Sequence, residues 1–340
     1  MTSPTDADPP RLFTGSFALG TLSAPDEAAF PGLVVPDGRV LDLCAALDDP
    51  GLTIRTLLDR WDEMRRELPA LADDPSHPWH RLTGLRVHAP VRPRQVFQAG
   101  ANYRQHVIDL ALAHRPKEDQ RTEARARAEM ATLMDRRAAQ DLPYVFTGLP
   151  TAIGGPYDDV LLPAWAAQPD WELELAAVIG RPARRVHRDV ALSYVAGYTI
   201  VNDITTRDRV YRPDIPGIGT DWLASKNAPT FLPTGPYLVP AAFIDDPMKL
   251  RIVLRLNGET MQDACTAEMI FDIARLIEYA SSLAELLPGD LLLTGSPAGN
   301  GVHYRRFLRP GDVMEGEITE LGKQRNRCVA EQPAATPFRP

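Results

Sequence analysis

Two glutamates stand inside an otherwise apolar segment, DWELELAAVIG, at residues 170–180. The apolar residues that follow them predict a buried strand that ends at Gly180. Because side chains two residues apart on a strand point to the same face, Glu172 and Glu174 should lie side by side. Neighbouring carboxylates in a poorly hydrated strand repel each other. A cation must therefore pair with them, or their pKa values must rise.

A third carboxylate, Asp203, ends another apolar segment, GYTIVND. Three oxygen donors with no cysteine or histidine beside them suit a hard cation such as Mg²⁺, Mn²⁺ or Ca²⁺ better than zinc. The spacing alone is equally compatible with glutamates that face solvent on a one-sided sheet and an aspartate that starts a turn.

Composition limits the classes of function. The chain has 340 residues, 44% of them hydrophobic, which is enough for one large domain or two ordinary ones. A net charge of −8 lacks the basic character that nucleic-acid binding requires. No apolar segment approaches the ~18 residues of a membrane span. Residues 1–11 are polar and predict a disordered tail rather than a signal peptide, so we expect a cytoplasmic protein without nucleic-acid or membrane partners.

The segments between these motifs predict two regions. Residues 12–90 combine short strands, a PDG turn and a helical segment, which predicts a small N-terminal α/β domain. Residues 91–330 are mostly strands, with helices expected over 116–141 and 268–286. Helix and strand do not alternate regularly, so we predict an α+β, strand-dominated architecture rather than a doubly wound sheet.

Five motifs follow one another over residues 90–330: AGANYRQHVID, DWELELAAVIGRPARRV, GYTIVNDITTRD, SKNAPTFLPTGPYLV and LLTGSPAGNG. This series resembles the fumarylacetoacetate hydrolase family. The resemblance implies a β-roll-like catalytic domain that follows a smaller domain and assembles as a homodimer. It also implies that Glu172, Glu174 and Asp203 bind a metal ion, most often Mg²⁺.

The resemblance assigns further roles. His106 and Asp109 match a His-x-x-Glu pair. As i, i+3 neighbours on a helix, they imply that Asp109 orients His106 and favours its charged form, with His106 as the general base for water. Lys226 matches a lysine that faces the substrate and stabilises developing negative charge. The substrate-binding residues implied by the resemblance are Tyr103, Arg207, Thr294, Gly295 and Ser296, although a structural salt bridge explains Arg207 equally well.

The chain departs from the family pattern around the substrate. The segment YVFTGLPTAIGG has no lysine where many members carry one, and Val210 takes the place of a glutamine. The helical segment 110–141 is longer than we expect for a simple member and could form part of a lid. These departures leave the metal site credible and the substrate open.

The favoured function is metal-dependent hydrolysis of a C–C bond in a 1,3-dicarbonyl 2-oxo acid, such as an acylpyruvate, with the metal polarising the ketone. The alternative is isomerisation, decarboxylation or hydration of a related 2-oxo acid or specialised metabolite, through an enolate that the metal stabilises. A protein that binds a metal and a ligand without turnover is the alternative from another class.

Overall fold

The computed structural model describes residues 12–113, 115, 118–215, 217 and 219–332, so the predicted tail at 1–11 lies outside the described residues. The first part of the chain forms an antiparallel sheet of five strands, in the order β4-β3-β2-β1-β5. These strands are β1 (Ala18–Ser23), β2 (Phe30–Val34), β3 (Arg39–Asp42), β4 (His80–Arg81) and β5 (Arg86–His88). Three helices accompany them: α1 (Leu43–Ala46), α2 (Ile54–Leu58) and α3 (Trp61–Asp73).

Strands dominate the rest of the chain, which confirms the α+β prediction. They are β6 (Val96–Gly100), β7 (Tyr144–Gly148), β8 (Ile153–Gly154), β9 (Val160–Leu162), β10 (Pro169–Asp170), β11 (Leu173–Ile179), β12 (Val195–Asn202), β13 (Thr205–Thr206), β14 (Leu232–Pro233), β15 (Val239–Pro240), β16 (Arg251–Leu256), β17 (Glu259–Cys265), β18 (Leu291–Leu293), β19 (Val313–Ile318) and β20 (Gly322–Ala330). The helices are α4 (Arg104–Ala113), α5 (Glu123–Gln140), α6 (Arg188–Ala191), α7 (Trp222–Lys226), α8 (Ile273–Leu283) and α9 (Gly301–Tyr304).

Two larger sheets organise these strands. A six-stranded sheet has the order β15-β12-β11-β18-β6-β7, in which only the β18–β6 pair is parallel. A five-stranded sheet has the order β17-β16-β19-β20-β9. Two short strand pairs, β10–β13 and β14–β8, lie outside these sheets. No helix among the described residues combines the length and apolar character needed to cross a membrane.

Strand β11 is covered on both faces, and all seven of its residues are buried. Leu173 and Leu175 point into one apolar core, together with Leu254 of the five-stranded sheet. Ala176 and Val178 point the other way, into a second core that includes residues of α2 and α3. Helices α2 and α3 therefore pack on one side of the six-stranded sheet and the five-stranded sheet on the other, while the N-terminal sheet contributes residues to both cores.

The two predicted helices exist but are shorter than predicted. Helix α5 begins after Thr122, whose hydroxyl accepts a hydrogen bond from the Arg125 backbone N–H at 3.3 Å. Helix α8 begins after Asp272, whose carboxylate accepts from the Arg275 N–H at 2.7 Å. Each side chain satisfies a free N–H of the first turn and fixes where the helix begins.

Candidate metal and catalytic site

Three carboxylates meet where β11 begins. One oxygen each of Glu172, Glu174 and Asp203 lies within 4.8 Å of the other two, and all three residues are buried. The register that pairs Leu173 with Asn202 brings the start of β11 next to the end of β12, where Asp203 follows. The predicted adjacency is confirmed, and the interpretation with solvent-facing glutamates is wrong.

Glu174 and Asp203 are held by different elements. The Gly295 backbone N–H, on the loop after β18, donates to Glu174 Oε2 at 2.7 Å. Gln98 of β6 donates through Nε2 to Asp203 Oδ1 at 2.8 Å. These bonds fix the carboxylate orientations, as the partners of metal ligands commonly do.

Lys226, at the end of α7, reaches into the carboxylate group. Its Nζ lies 2.9 Å from Glu172 Oε2, 2.5 Å from Asp203 Oδ2 and 2.6 Å from Thr205 Oγ1. Only 4% of its side chain is exposed, so this is a buried ion pair. The lysine therefore lies at the predicted site, and it is bound there to the carboxylates.

Asp170 is a fourth buried carboxylate that the sequence analysis did not single out. Its Oδ2 accepts from Arg207 Nε at 2.7 Å, and Arg207 Nη2 also donates to Glu172 Oε1 at 2.6 Å. Asp170 Oδ1 accepts from the Gly301 N–H, the first residue of α9, at 2.5 Å. Arg207 thus forms the salt bridges allowed for in the sequence analysis, and they link α9 to Glu172.

The buried charges of the site do not balance. If the carboxylates of Asp170, Glu172, Glu174 and Asp203 are all ionised, four negative charges face two cations, Lys226 and Arg207. Two negative charges remain, which equals the charge of one divalent cation. Three clustered carboxylate oxygens are also the donors that hard divalent cations prefer. The residues present therefore fit a divalent metal ion.

The pKa values show the same imbalance. Burial, then the charges of Asp203 and Glu172, raise the pKa of Glu174 well above its usual range. Burial raises the pKa of Asp203 to about 6, although Lys226 opposes this. Burial also acts to raise the pKa of Glu172, but Lys226 and Arg207 outweigh it and lower that pKa to about 2. Without a further cation, the carboxylate group tends to keep a proton.

His106 lines an open cleft beside the carboxylates, together with Asp109 and residues 298–300, 302 and 303. Burial lowers the pKa of His106 to about 4, against the opposing charge of Glu172. The imidazole is therefore neutral near pH 7, which is the form that accepts a proton. The charge of Asp109 acts in the expected direction, since it raises the pKa of His106, but burial outweighs it.

Asp109 lies on the same helix but is engaged elsewhere. Its Oδ1 accepts from Gln105 Nε2 at 2.7 Å and from Arg127 Nη1 at 3.1 Å. No ion pair between Asp109 and His106 occurs among the residues that the structure describes. Helix α5, which supplies Arg127, packs on α4 and buries only Ala126 and Met134 of its own residues. A lid function for the segment 110–141 stays a prediction.

The remaining predicted residues lie close to the carboxylates. Tyr103 is fully buried, and burial and the charge of Glu174 raise its pKa well above the usual range. Thr294 donates through its hydroxyl to the Leu175 carbonyl at 2.8 Å, and Ser296 Oγ accepts from Gln262 Nε2 at 2.9 Å. These side chains support the site in this structure, and their contact with substrate stays a prediction.

The family model of the fumarylacetoacetate (FAA) hydrolase C-terminal domain matches residues 95–329. The chain belongs to this family. The 2,4-didehydro-3-deoxy-L-rhamnonate hydrolase of Sphingomonas sp. strain SKA58 is 35% identical over 301 residues, which cover 87% of this chain and 91% of that protein. The human mitochondrial oxaloacetate tautomerase FAHD2B is 36% identical over 258 residues, which cover 75% of this chain and 72% of that protein.

A solved structure carries a ligand. The maleylpyruvate hydrolase of Sphingobium sp. SYK-6, in complex with manganese(II) and pyruvate, matches with a TM-score of 0.70 and 25% identity, over 93% of this chain and 100% of that chain. Family members therefore include hydrolases and a tautomerase, and this chain has the family's fold.

Proposed function

We propose that the protein is a metal-dependent hydrolase that cleaves a C–C bond in an acylpyruvate-like 2-oxo acid. The carrying observation is the buried carboxylate group of Glu172, Glu174 and Asp203, which together with Asp170 outnumbers its two cations by two, beside a cleft lined by a neutral His106. The relative named as a 2,4-didehydro-3-deoxy acid hydrolase supports the reaction class. The neighbour that holds manganese and pyruvate supports a divalent metal and a pyruvate product.

Glu172, Glu174 and Asp203 would hold the metal ion, which would supply Lewis-acid polarisation of the 2-oxo acid. In the proposed reaction His106 takes a proton from water, and the water oxygen adds to the distal carbonyl carbon. The bond between this carbon and the methylene of the pyruvate unit then breaks, and its electron pair stays with that unit. Lys226 stabilises the negative charge that develops there. Proton return to the carbon completes one carboxylic acid and one pyruvate per water consumed.

Arg207, with Asp170, keeps Glu172 oriented in this scheme. Asp109, one turn along α4, acts on His106 through its charge, which stabilises the imidazolium formed when His106 takes the proton. Tyr103, Thr294, Gly295 and Ser296 are proposed to shape the substrate side. Mg²⁺ as the physiological ion, a division into domains at 12–90 and 91–330 and a homodimer complete the proposal and are supported by the family resemblance. A cytoplasmic location is proposed from the charge and composition of the chain alone.

A tautomerase is the second candidate, because a relative of similar identity is named oxaloacetate tautomerase. The same His106 would then move a proton between carbon and oxygen of a 2-oxo acid, without adding water. This candidate needs the same carboxylate group and differs only in its products.

Product analysis distinguishes the candidates. The protein would be incubated with acetylpyruvate, and separately with enol-oxaloacetate, with Mg²⁺, with Mn²⁺ and with a chelator. Equimolar pyruvate and acetate that require the metal support the hydrolase. Ketonisation of oxaloacetate without loss of mass, and no acetate, would favour the tautomerase. Tight metal binding without any turnover would favour a binding protein.

A further inference from the structure

The N–H groups of the Lys226 ammonium are all in use. An ammonium has three of them, and they face three oxygens: Glu172 Oε2 at 2.9 Å, Asp203 Oδ2 at 2.5 Å and Thr205 Oγ1 at 2.6 Å. The Asp203 carbonyl oxygen lies farther away, at 3.5 Å. In the proposed reaction Lys226 stabilises charge that develops on the substrate, so the ammonium must release at least one of these partners.

Two of the three partners belong to the carboxylate group that is proposed to hold the metal ion. A cation held by Glu172 and Asp203 competes with the ammonium for their negative charge, which weakens both of these contacts. Thr205 stands outside this competition, because its hydroxyl is neutral and is not one of the clustered metal-binding groups. The contact between Lys226 and Thr205 is therefore the one that should persist.

The Thr205 hydroxyl is oriented to accept from the lysine. Thr205 is fully buried, and its Oγ1 donates its own proton to the Asp203 carbonyl oxygen at 3.0 Å. A hydroxyl has one proton and two lone pairs, so this bond leaves only lone pairs for the ammonium. The backbone is fixed as well, since Thr205 of β13 pairs with Asp170 of β10. Thr205 therefore offers the ammonium an acceptor with a fixed position and direction.

Two aromatic rings also lie beside the ammonium. Lys226 Nζ is 5.8 Å from the ring centroids of both Phe146 and Trp222, and these two rings stack on each other at 4.4 Å. Aromatic ring faces attract a cation at this distance, but they do not fix the direction of a single N–H group. The rings therefore help to keep the ammonium in place, and the direction of its N–H groups depends on oxygen acceptors such as Thr205.

We propose that Thr205 is a positioning residue for Lys226. Its hydroxyl keeps one N–H of the ammonium engaged during turnover, while the N–H groups released by Glu172 and Asp203 donate to the substrate oxygen that gains negative charge. The inference rests on the proposed hydrolase function, which gives Lys226 its role. Thr205 acts only through Lys226 and touches no reacting atom.

Thr205→Val removes the hydroxyl with little change in shape, and Thr206→Val is the matched control. Thr206 is equally buried, and its Oγ1 has no hydrogen-bond partner among the described residues. With saturating Mn²⁺ and acetylpyruvate, Thr205→Val should lower kcat about tenfold or more and change KM less than about threefold, because a misdirected ammonium affects the transition state more than binding. Thr205→Ser should recover most of the rate, and Thr206→Val should match the wild type. Equal kcat values in Thr205→Val and Thr206→Val would overturn the inference.

A spectroscopic measurement observes the ammonium itself, without turnover. Protein labelled with ¹⁵N in its lysine side chains is loaded with diamagnetic Mg²⁺, and Lys226→Met identifies the Lys226 signal in the NMR spectrum. A buried, hydrogen-bonded ammonium exchanges its protons slowly with water, so the wild type and Thr206→Val should show this signal, and Thr205→Val should shift or lose it. A missing Lys226 signal in the wild type, or an unchanged one in Thr205→Val, would overturn the inference. If the signal depends on Thr205 but the wild type releases no pyruvate, the proposed function fails and the placement of Lys226 by Thr205 stands.

Discussion

The ammonium of Lys226 and the carboxylate of Asp203 form a buried ion pair, with 2.5 Å between Nζ and Oδ2. The same ammonium contacts Glu172, so it binds two of the three carboxylates proposed to hold the metal. The lysine and the metal ion therefore compete for negative charge, although both are expected to serve the same reaction.

This competition predicts opposite effects of Lys226→Met. Mn²⁺ should bind more tightly, because a competing cation is gone. The metal-free protein should lose about 3–5 kcal/mol of unfolding free energy, since buried carboxylates lose their partner. Turnover should fall about 10²–10³-fold if Lys226 stabilises developing charge. Calorimetric titration with Mn²⁺ checks the first effect. Lys249→Met, at an exposed lysine, is the control, and weaker Mn²⁺ binding in Lys226→Met would contradict the competition.

Gln98 should matter for metal affinity because its amide orients Asp203. Gln98→Ala removes this hydrogen bond and should weaken Mn²⁺ binding about 10–100-fold. Gln95→Ala is a matched control, since Gln95 donates to a different aspartate, Asp290, at 2.7 Å. Titration of both variants with Mn²⁺ measures the two affinities. Equal affinities in the two variants would show that the Gln98 amide does not support the metal site.

Gly295 is required by backbone conformation and by space. Its φ is +90°, and an added Cβ would lie 2.9 Å from Asn102 Cβ. At Gly258, φ is +85° and the surrounding space is open. Gly258→Ala should therefore lower the free energy of unfolding only by the backbone strain, about 1–2 kcal/mol. Gly295→Ala should lower the free energy of unfolding by about 1–3 kcal/mol more, because the added Cβ is crowded. It should also displace the backbone N–H that donates a hydrogen bond to Glu174. Urea unfolding of both variants measures the difference, and equal losses would contradict the crowding.

The acid limb of the pH profile of kcat/KM should lie at a lower pH than an ordinary histidine would give. Burial lowers the pKa of His106 to about 4, so the ring is neutral, and able to act as a base, at all higher pH values. A bound metal ion adds positive charge and shifts the pKa further in the same direction. With saturating Mn²⁺, kcat/KM should therefore stay flat from about pH 7.5 down to about pH 5.5. A loss of activity centred at the ordinary histidine pKa, about 6.5, would contradict this.

The alternation of side chains between the two faces of β11 could be predicted from the sequence, because it depends on residues of a single strand. The two-residue spacing predicted that Glu172 and Glu174 share a face, and the structure confirms it. Asp170 continues the same spacing, and this was the available signal for it. Its partners, Arg207 and Gly301, lie 37 and 131 residues away, so no local pattern could reveal that it links α9 to Glu172.

The pairing of His106 with Asp109 shows where local geometry fails. An i, i+3 spacing predicts a shared helix face, but it does not decide which neighbour binds the carboxylate. Here Arg127, from the next helix, and Gln105, one turn before, take Asp109. The packing of α5 on α4 is a tertiary contact, and no spacing within either helix predicts it. The ion pairs of Lys226 with Glu172 and Asp203 likewise join residues that are far apart in the chain, so local spacing could not predict them.

The central claim is that the buried carboxylates hold a metal ion that the C–C bond hydrolysis requires. Glu174→Gln tests it most directly, because it removes one charge with almost no change in shape, and Glu315→Gln on an exposed strand position is the control. The measurement is pyruvate release from acetylpyruvate as Mn²⁺ is titrated. We predict that Glu174→Gln loses at least about 10²-fold in activity and needs far more Mn²⁺, whereas the control behaves like the wild type. Wild-type activity in Glu174→Gln, or turnover that persists in a chelator, would contradict the account.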